Sequence, residues 1–220
     1  MRRVPEPREL ADLPYAHRLE PFGGELERER SYEWVHVDGR EFDEVDGGSA
    51  HFTESALSSV TFTRGRYRRT LFDGVWLHHL RAVGSDFAES RWLDVECGAG
   101  LLAGAEIHGA EMRRVVFHHC KFDSVNLRVA ALREVDFVDC LLRDVDFGGA
   151  TLTDVSFPGT TLERVDFARA KLSRVDLRGA VSLGIRSVEA LKGAVISSPQ
   201  LFDLAPALAQ HVGLTVRDTD

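Results

Sequence analysis

Apolar residues in this chain recur at every fifth position. From Phe42 to Leu177 that reading passes through 28 positions, and 27 of them are apolar, Gly47 being the exception. At 44% apolar overall, composition alone would place about 12 there. Two residues before each, from Arg40 to Val175, nearly every residue is Ala, Val, Ser, Thr, Cys or Gly, and only Arg40 and Leu80 break the rule. Leu80 is answered by Ala82 at the next large position, so bulk is exchanged at constant volume. A period of five fits neither an amphipathic helix nor a simple strand. It implies that each unit points one small and one large residue inward and three toward water. A chain does that indefinitely only by winding about an axis, each unit forming one side of a coil.

Grouping the units by twenty residues sharpens the prediction. One small-residue column then reads Ser55, Val75, Val95, Val115, Val135, Val155, Val175, and another Ala50, Thr70, Ser90, Ala110, Ala130, Ala150, Ala170. A five-residue rule does not require such likeness at twenty, so the columns argue for four sides per coil. Glycines at 74, 84, 104, 109, 149, 159 and 179 fall at the corners, where positive φ is often needed.

The run VDFVDCLLRDVDFGGATLTDVSFPGTTLERVDFARAKLSRVDLRGA resembles the pentapeptide-repeat family, whose consensus is A-(D/N)-L-x-x. Val135-Asp136-Phe137, Val145-Asp146-Phe147, Val165-Asp166-Phe167 and Val175-Asp176-Leu177 are the clearest units. The resemblance implies an all-β, right-handed quadrilateral β-helix of about seven coils, roughly 34 Å long, with a C-terminal capping α-helix.

Three regions are expected. Residues 1–31 carry four of the seven prolines and two charge-rich runs without a sustained period, and read as a flexible or loosely docked arm. Residues 32–180 form the solenoid. In 181–220, Gly193 to Ser197 reads as a last edge strand, and Ser198 followed by Pro199 as a helix start with Ser198 the N-cap. Leu201, Leu204, Leu208 and Val212 then follow at helical spacing. An open coil end must be covered, and this helix is placed to cover it. Family resemblance further implies a homodimer through the same helix.

The net charge of −8 argues against direct nucleic-acid binding. No stretch approaches the roughly 18 apolar residues of a membrane span, and the N-terminus lacks an apolar segment behind its arginines. A cytoplasmic protein is expected. Cys97, Cys120 and Cys140 fall at inward positions, the latter two adjacent in one column at about 5 Å, within disulfide range; they read as small core residues. The pairs His78-His79 and His118-His119 lie on one outer side, two coils apart, too far to share one metal, and read as solvated. No nucleophile motif, metal motif or glycine-rich cofactor loop appears, so no catalytic, cofactor-binding or metal residues are assigned.

The function implied by resemblance is a non-catalytic interaction protein, its most concrete form a DNA mimic that binds DNA gyrase and protects it from quinolones or toxins. The alternative is a general scaffold for an unrelated protein partner. Between 41 and 180 there are 22 acidic and 17 basic residues, a net of −5, against about 20 negative charges on duplex DNA of similar length. The rod is a diluted mimic, and Arg64, Arg66, Arg68 and Arg69 dilute it further. No loops interrupt the repeat, which matches loop-free mycobacterial-type members more closely than loop-bearing ones. The most acidic side carries Glu96, Asp136, Asp139 and Asp176 against Arg178 alone. With Trp76, Val116 and Val138 beside them, these residues form the predicted partner face.

Overall fold

The computed structural model describes residues 5–217. Three-residue strands alternate with corners, and successive strands of one side pair in parallel at an offset of twenty, as Phe52 with Phe72, Leu57 with Leu77 and Phe42 with Phe62. The first side presents the column from Tyr32 to Leu172, the second that from Val37 to Leu177 and the third that from Phe42 to Leu162. The fourth is held by isolated bridges running from Asp46–Arg66 to Asp146–Asp166. The solenoid has about eight turns. The seven expected from residue 40 onward are preceded by an irregular one, in which Glu20–Pro21 pairs with Val35 and His36.

That extra turn accounts for Gly47, the exception in the apolar column. A β-carbon there would stand 3.0 Å from Leu26 Cδ2 and 3.0 Å from Tyr67 Cδ1. Leu26 and Tyr67 supply the bulk that position 47 omits. Elsewhere like side chains stack coil upon coil: Phe137 on Phe157 at 5.2 Å and Phe147 on Phe167 at 5.1 Å between centroids, both pairs 5° from parallel.

The corners obey a single rule. All 30 residues at every fifth position from Glu29 to Arg174 have positive φ, and only seven of them are glycine. Gly179, the next in phase, does not have positive φ. On the fourth side the outward Asp and Asn residues brace these turns: Asp46, Asp86, Asn126, Asp146 and Asp166 each accept the backbone N–H two residues on. The acidic consensus position is thus an Asx turn.

After Val181 the register advances by one residue, so Ser182 stands opposite Thr161. Ser182–Ile185 adds to the third side, Ala194–Val195 adds to the second beside Val175–Asp176, and helix α1 (Ser198–His211) follows. Its N-cap is Ser197, one residue earlier than predicted, because Ser197 and Gln200 form a reciprocal capping box. Gln200 Nε2 also donates to the carbonyls of Leu177 and Ala180, closing the last coil. Of the predicted apolar stripe, Leu204 is buried and Leu208 half-buried, whereas Leu201 and Val212 face outward. No helix among the described residues is long and apolar enough to cross a membrane.

Candidate functional site: the second side and its arm

Residues on the second side that point away from the core form two columns: Ala56, Trp76, Glu96, Val116 and Asp136 in one, His78, Gly98, His118 and Val138 in the other. An outward position in a solenoid ordinarily meets water, but here a chain segment lies over it. Residues 5–19, expected to be flexible or loosely docked, run along this side as two single turns of 3-10 helix, Leu10–Asp12 and Ala16–Arg18. Leu13 and Tyr15 pack with Ala56 and Trp76 into a small apolar cluster separate from the main core. Burial pushes the Tyr15 phenol up to about 12.

The polar fixings are equally specific. Arg8 donates its backbone N–H to Glu96 Oε1 at 2.7 Å and its Nε–H to Oε2 at 2.7 Å. The indole N–H of Trp76 donates to the carbonyl of the same Arg8 at 3.1 Å. At the other end of the arm, Arg18 Cζ lies 3.2 Å above the Trp34 ring, and Trp34 Nε1 donates to Glu54 at 2.7 Å.

The predicted partner face therefore needs correction. Trp76, Glu96, Val116 and Asp136 are buried, Val138 and Asp176 are half-buried, and Asp139 alone is exposed. The structure does bring Trp76, Glu96 and Val116 together, but under the arm. Sequence reasoning missed Arg8, Leu13 and Tyr15, which form the covering. The available signal was an arginine followed by Leu10, Leu13 and Tyr15 in an otherwise charged segment.

Of the four histidines expected to be solvated, His79 and His119 are exposed, whereas His78 and His118 are not. His118 is buried, and among the described residues its Nε2 is the buried side-chain polar atom with no hydrogen-bond partner. Burial pushes its imidazole below the usual range, although nearby Glu96 pulls the other way. His78 is half-buried and stacks on Trp76 at 4.9 Å, 16° from parallel. No three His, Cys, Asp or Glu side chains among the described residues converge to hold a metal ion.

The cysteines prove to be more than small apolar residues. Gly100 N–H donates to Cys120 Sγ, Cys120 N–H to Cys140 Sγ and Cys140 N–H to Thr160 Oγ1, at 3.3, 3.3 and 3.1 Å. Cys120 and Cys140 then donate to carbonyls of earlier coils, as Thr160 does. Each side chain stitches neighbouring turns through a backbone group that the sheet ladder leaves unpaired. The three thiols are free and buried, and the neighbouring Cys120 thiol, together with burial, pushes Cys97 and Cys140 up.

Most other carboxylates are paired. Arg64 meets Glu44, Arg114 meets Asp94, Arg164 meets Asp144 and Arg174 meets Asp154, each between corner residues one coil apart. A four-sided parallel solenoid with stacked inward columns and Asx-braced corners defines a class of repeat proteins. A family profile for the pentapeptide repeat region matches residues 110–184, so this stretch of the solenoid is a pentapeptide-repeat region.

Among solved structures, trypsin-treated QnrB1, a plasmid-mediated fluoroquinolone resistance protein, is similar at 15% identity and a TM-score of 0.57, over 87% of this chain and 93% of that one. HetL, a pentapeptide-repeat protein involved in heterocyst differentiation regulation from the cyanobacterium Nostoc sp., matches at 17% identity and a TM-score of 0.29, over 78% of this chain and 91% of that one. A pentapeptide-repeat protein from the Arabidopsis thaliana thylakoid lumen matches at 17% identity and a TM-score of 0.28, over 56% of this chain and 73% of that one. Comparison with curated proteins finds no match.

Proposed function

We propose that this protein is a non-catalytic interaction rod acting in the cytoplasm as a homodimer, with DNA gyrase as the most concrete candidate partner. The observation that carries the interaction reading is how the outward polar groups are used. Carboxylates at many corners and along the fourth side are committed to ion pairs and Asx turns, so what these surfaces offer is shape and pattern. The gyrase candidate rests on family resemblance, and its mechanism is competition of an acidic rod for a DNA-binding surface.

The Arg–carboxylate pairs along the corners favour the second reading, a scaffold for a protein partner unrelated to topoisomerases. They neutralise charge that a duplex mimic would display. Dimerisation is supported by Phe202, Val212, Leu214 and Val216, all exposed on or just beyond α1, with Phe202 at 77% exposure.

A supercoiling assay with gyrase, titrated with this protein at two salt concentrations, separates the readings. Inhibition that weakens as salt rises, and is relieved by Asp139→Asn with Asp176→Asn, identifies a charge mimic. No inhibition at micromolar protein removes gyrase and leaves the scaffold.

A further inference from the structure

The arm does not fill the second side as a core element would. Of residues 5–19 only Leu13 and Tyr15 are buried. Cavities of about 630 Å³ and 450 Å³ remain on its two flanks, the first toward Asp94 and Arg114, the second toward His78 and His118. What holds the arm is recognition at points. Arg8 is gripped through its backbone N–H, its carbonyl and its guanidinium at once, by Glu96 and Trp76. Arg18 meets the same pair of residue types, an indole face from Trp34 and a carboxylate from Glu54, the latter at 3.9 Å.

Each station combines a glutamate that neutralises the guanidinium with a tryptophan that contacts the arginine residue. Between the stations an apolar patch takes one leucine and one tyrosine. Such features read a short chain segment from outside, in the manner of a peptide-binding groove.

We infer that the second side is a recognition surface for protein segments carrying two arginines about ten residues apart with aliphatic and aromatic residues between. The arm is its resident occupant, and a partner segment of the same chemistry displaces it. The buried state of Trp76, Glu96 and Val116 is then the self-occupied form of the surface. This assignment is independent of gyrase, because it specifies the segment that is bound and not the protein that bears it.

The test uses a fluorescent peptide with the sequence of residues 5–19 and the full-length chain. The peptide is expected to bind Arg8→Ala/Leu13→Asp protein, whose own arm is loosened, at least tenfold more tightly than the wild type. Adding Glu96→Gln to that background should cost at least tenfold, since it removes the carboxylate that receives Arg8. Equal affinity for wild-type and loosened chains overturns the inference. Should the loosened chain misfold by circular dichroism, the wild type decides. Excess unlabelled peptide should accelerate tryptic cleavage after Arg18, and the same peptide with Arg8→Glu should not. No acceleration at millimolar peptide, or equal acceleration by both peptides, overturns the inference.

Discussion

The ring of Tyr67 occupies the space that a β-carbon on Gly65 would need: Tyr67 Cζ lies 2.5 Å from that position. The two residues are the small and large inward members of one unit, and the unit has moved all its bulk to the larger. Tyr67 is almost fully buried, so its ring has nowhere to retreat. Gly65→Ala should therefore destabilise the protein by about 1–3 kcal/mol. Combining it with Tyr67→Leu, which restores the usual pairing, should recover most of that loss. Urea denaturation of the two single mutants and the double mutant measures the coupling, and additive losses would contradict the account.

Docking of the arm should weaken in acid. His118 is held below its ordinary pKa chiefly by burial; His119 adds to the depression, while Glu96, Cys120 and Asp139 oppose it. The docked form thus favours neutral imidazole, and its stability is complete above the undocked value, near 6.5. As pH falls through that value, proton uptake favours release. The indole N–H resonance of Trp76, bonded to Arg8, should shift toward its solvent-exposed position between pH 7.5 and 5.5. His118→Phe should flatten the response, and an unchanged profile in that variant would refute it.

Val129 is 70% exposed and sits at a corner with φ of 58°. A β-branched residue tolerates the left-handed region poorly. Val129→Asn should stabilise the protein by about 1 kcal/mol, seen as a rise in thermal midpoint. A fall would mean that the valine makes a contact worth more than its strain.

Native protein should leave Cys97, Cys120 and Cys140 unreactive toward a thiol-specific disulfide reagent, whereas all three should react once unfolded. Burial and raised thiol pKa values at Cys97 and Cys140 act in the same direction. Rapid titration of any thiol in the folded state would show that coils open locally around the stitch.

Light scattering should give about 49 kDa, twice the 24.5 kDa chain, and Phe202→Asp should halve it. The substitution lies on a solvent-facing part of α1, so far-ultraviolet circular dichroism should not change. A wild-type mass of one chain would refute dimerisation.

The five-residue rule exposed the core because inward positions are enforced by stacking: Phe137 over Phe157 belongs to a column visible in the sequence. It also located the corners, since a fixed period places every turn. It could not reveal what lies outside the sheet. The period places Trp76 outward, but outward describes only its direction from the backbone, and the arm that covers it has no period of its own. Leu204 and Phe202 show the same limit at the other end. Helical spacing groups Leu201, Leu204, Leu208 and Val212, yet packing against the coil end buries Leu204 and leaves Leu201 and Val212 outside.

The one-residue slip at Val181 bears on length. Up to that point every turn repeats at twenty residues; the offset widens to 21 at Ser182 and Leu183, returns to twenty at Ile185, and the strand Ala194–Val195 and helix α1 then close the end. The rod is consequently a gauge with graduations of about 4.8 Å. Its zero lies at the irregular first turn and its stop at the capping helix. Insertion or loss of a twenty-residue cassette would alter the distance between arm and helix by one graduation while leaving both ends intact. Evolution can thus tune spacing separately from recognition, adjusting how far apart two bound surfaces stand without rewriting either.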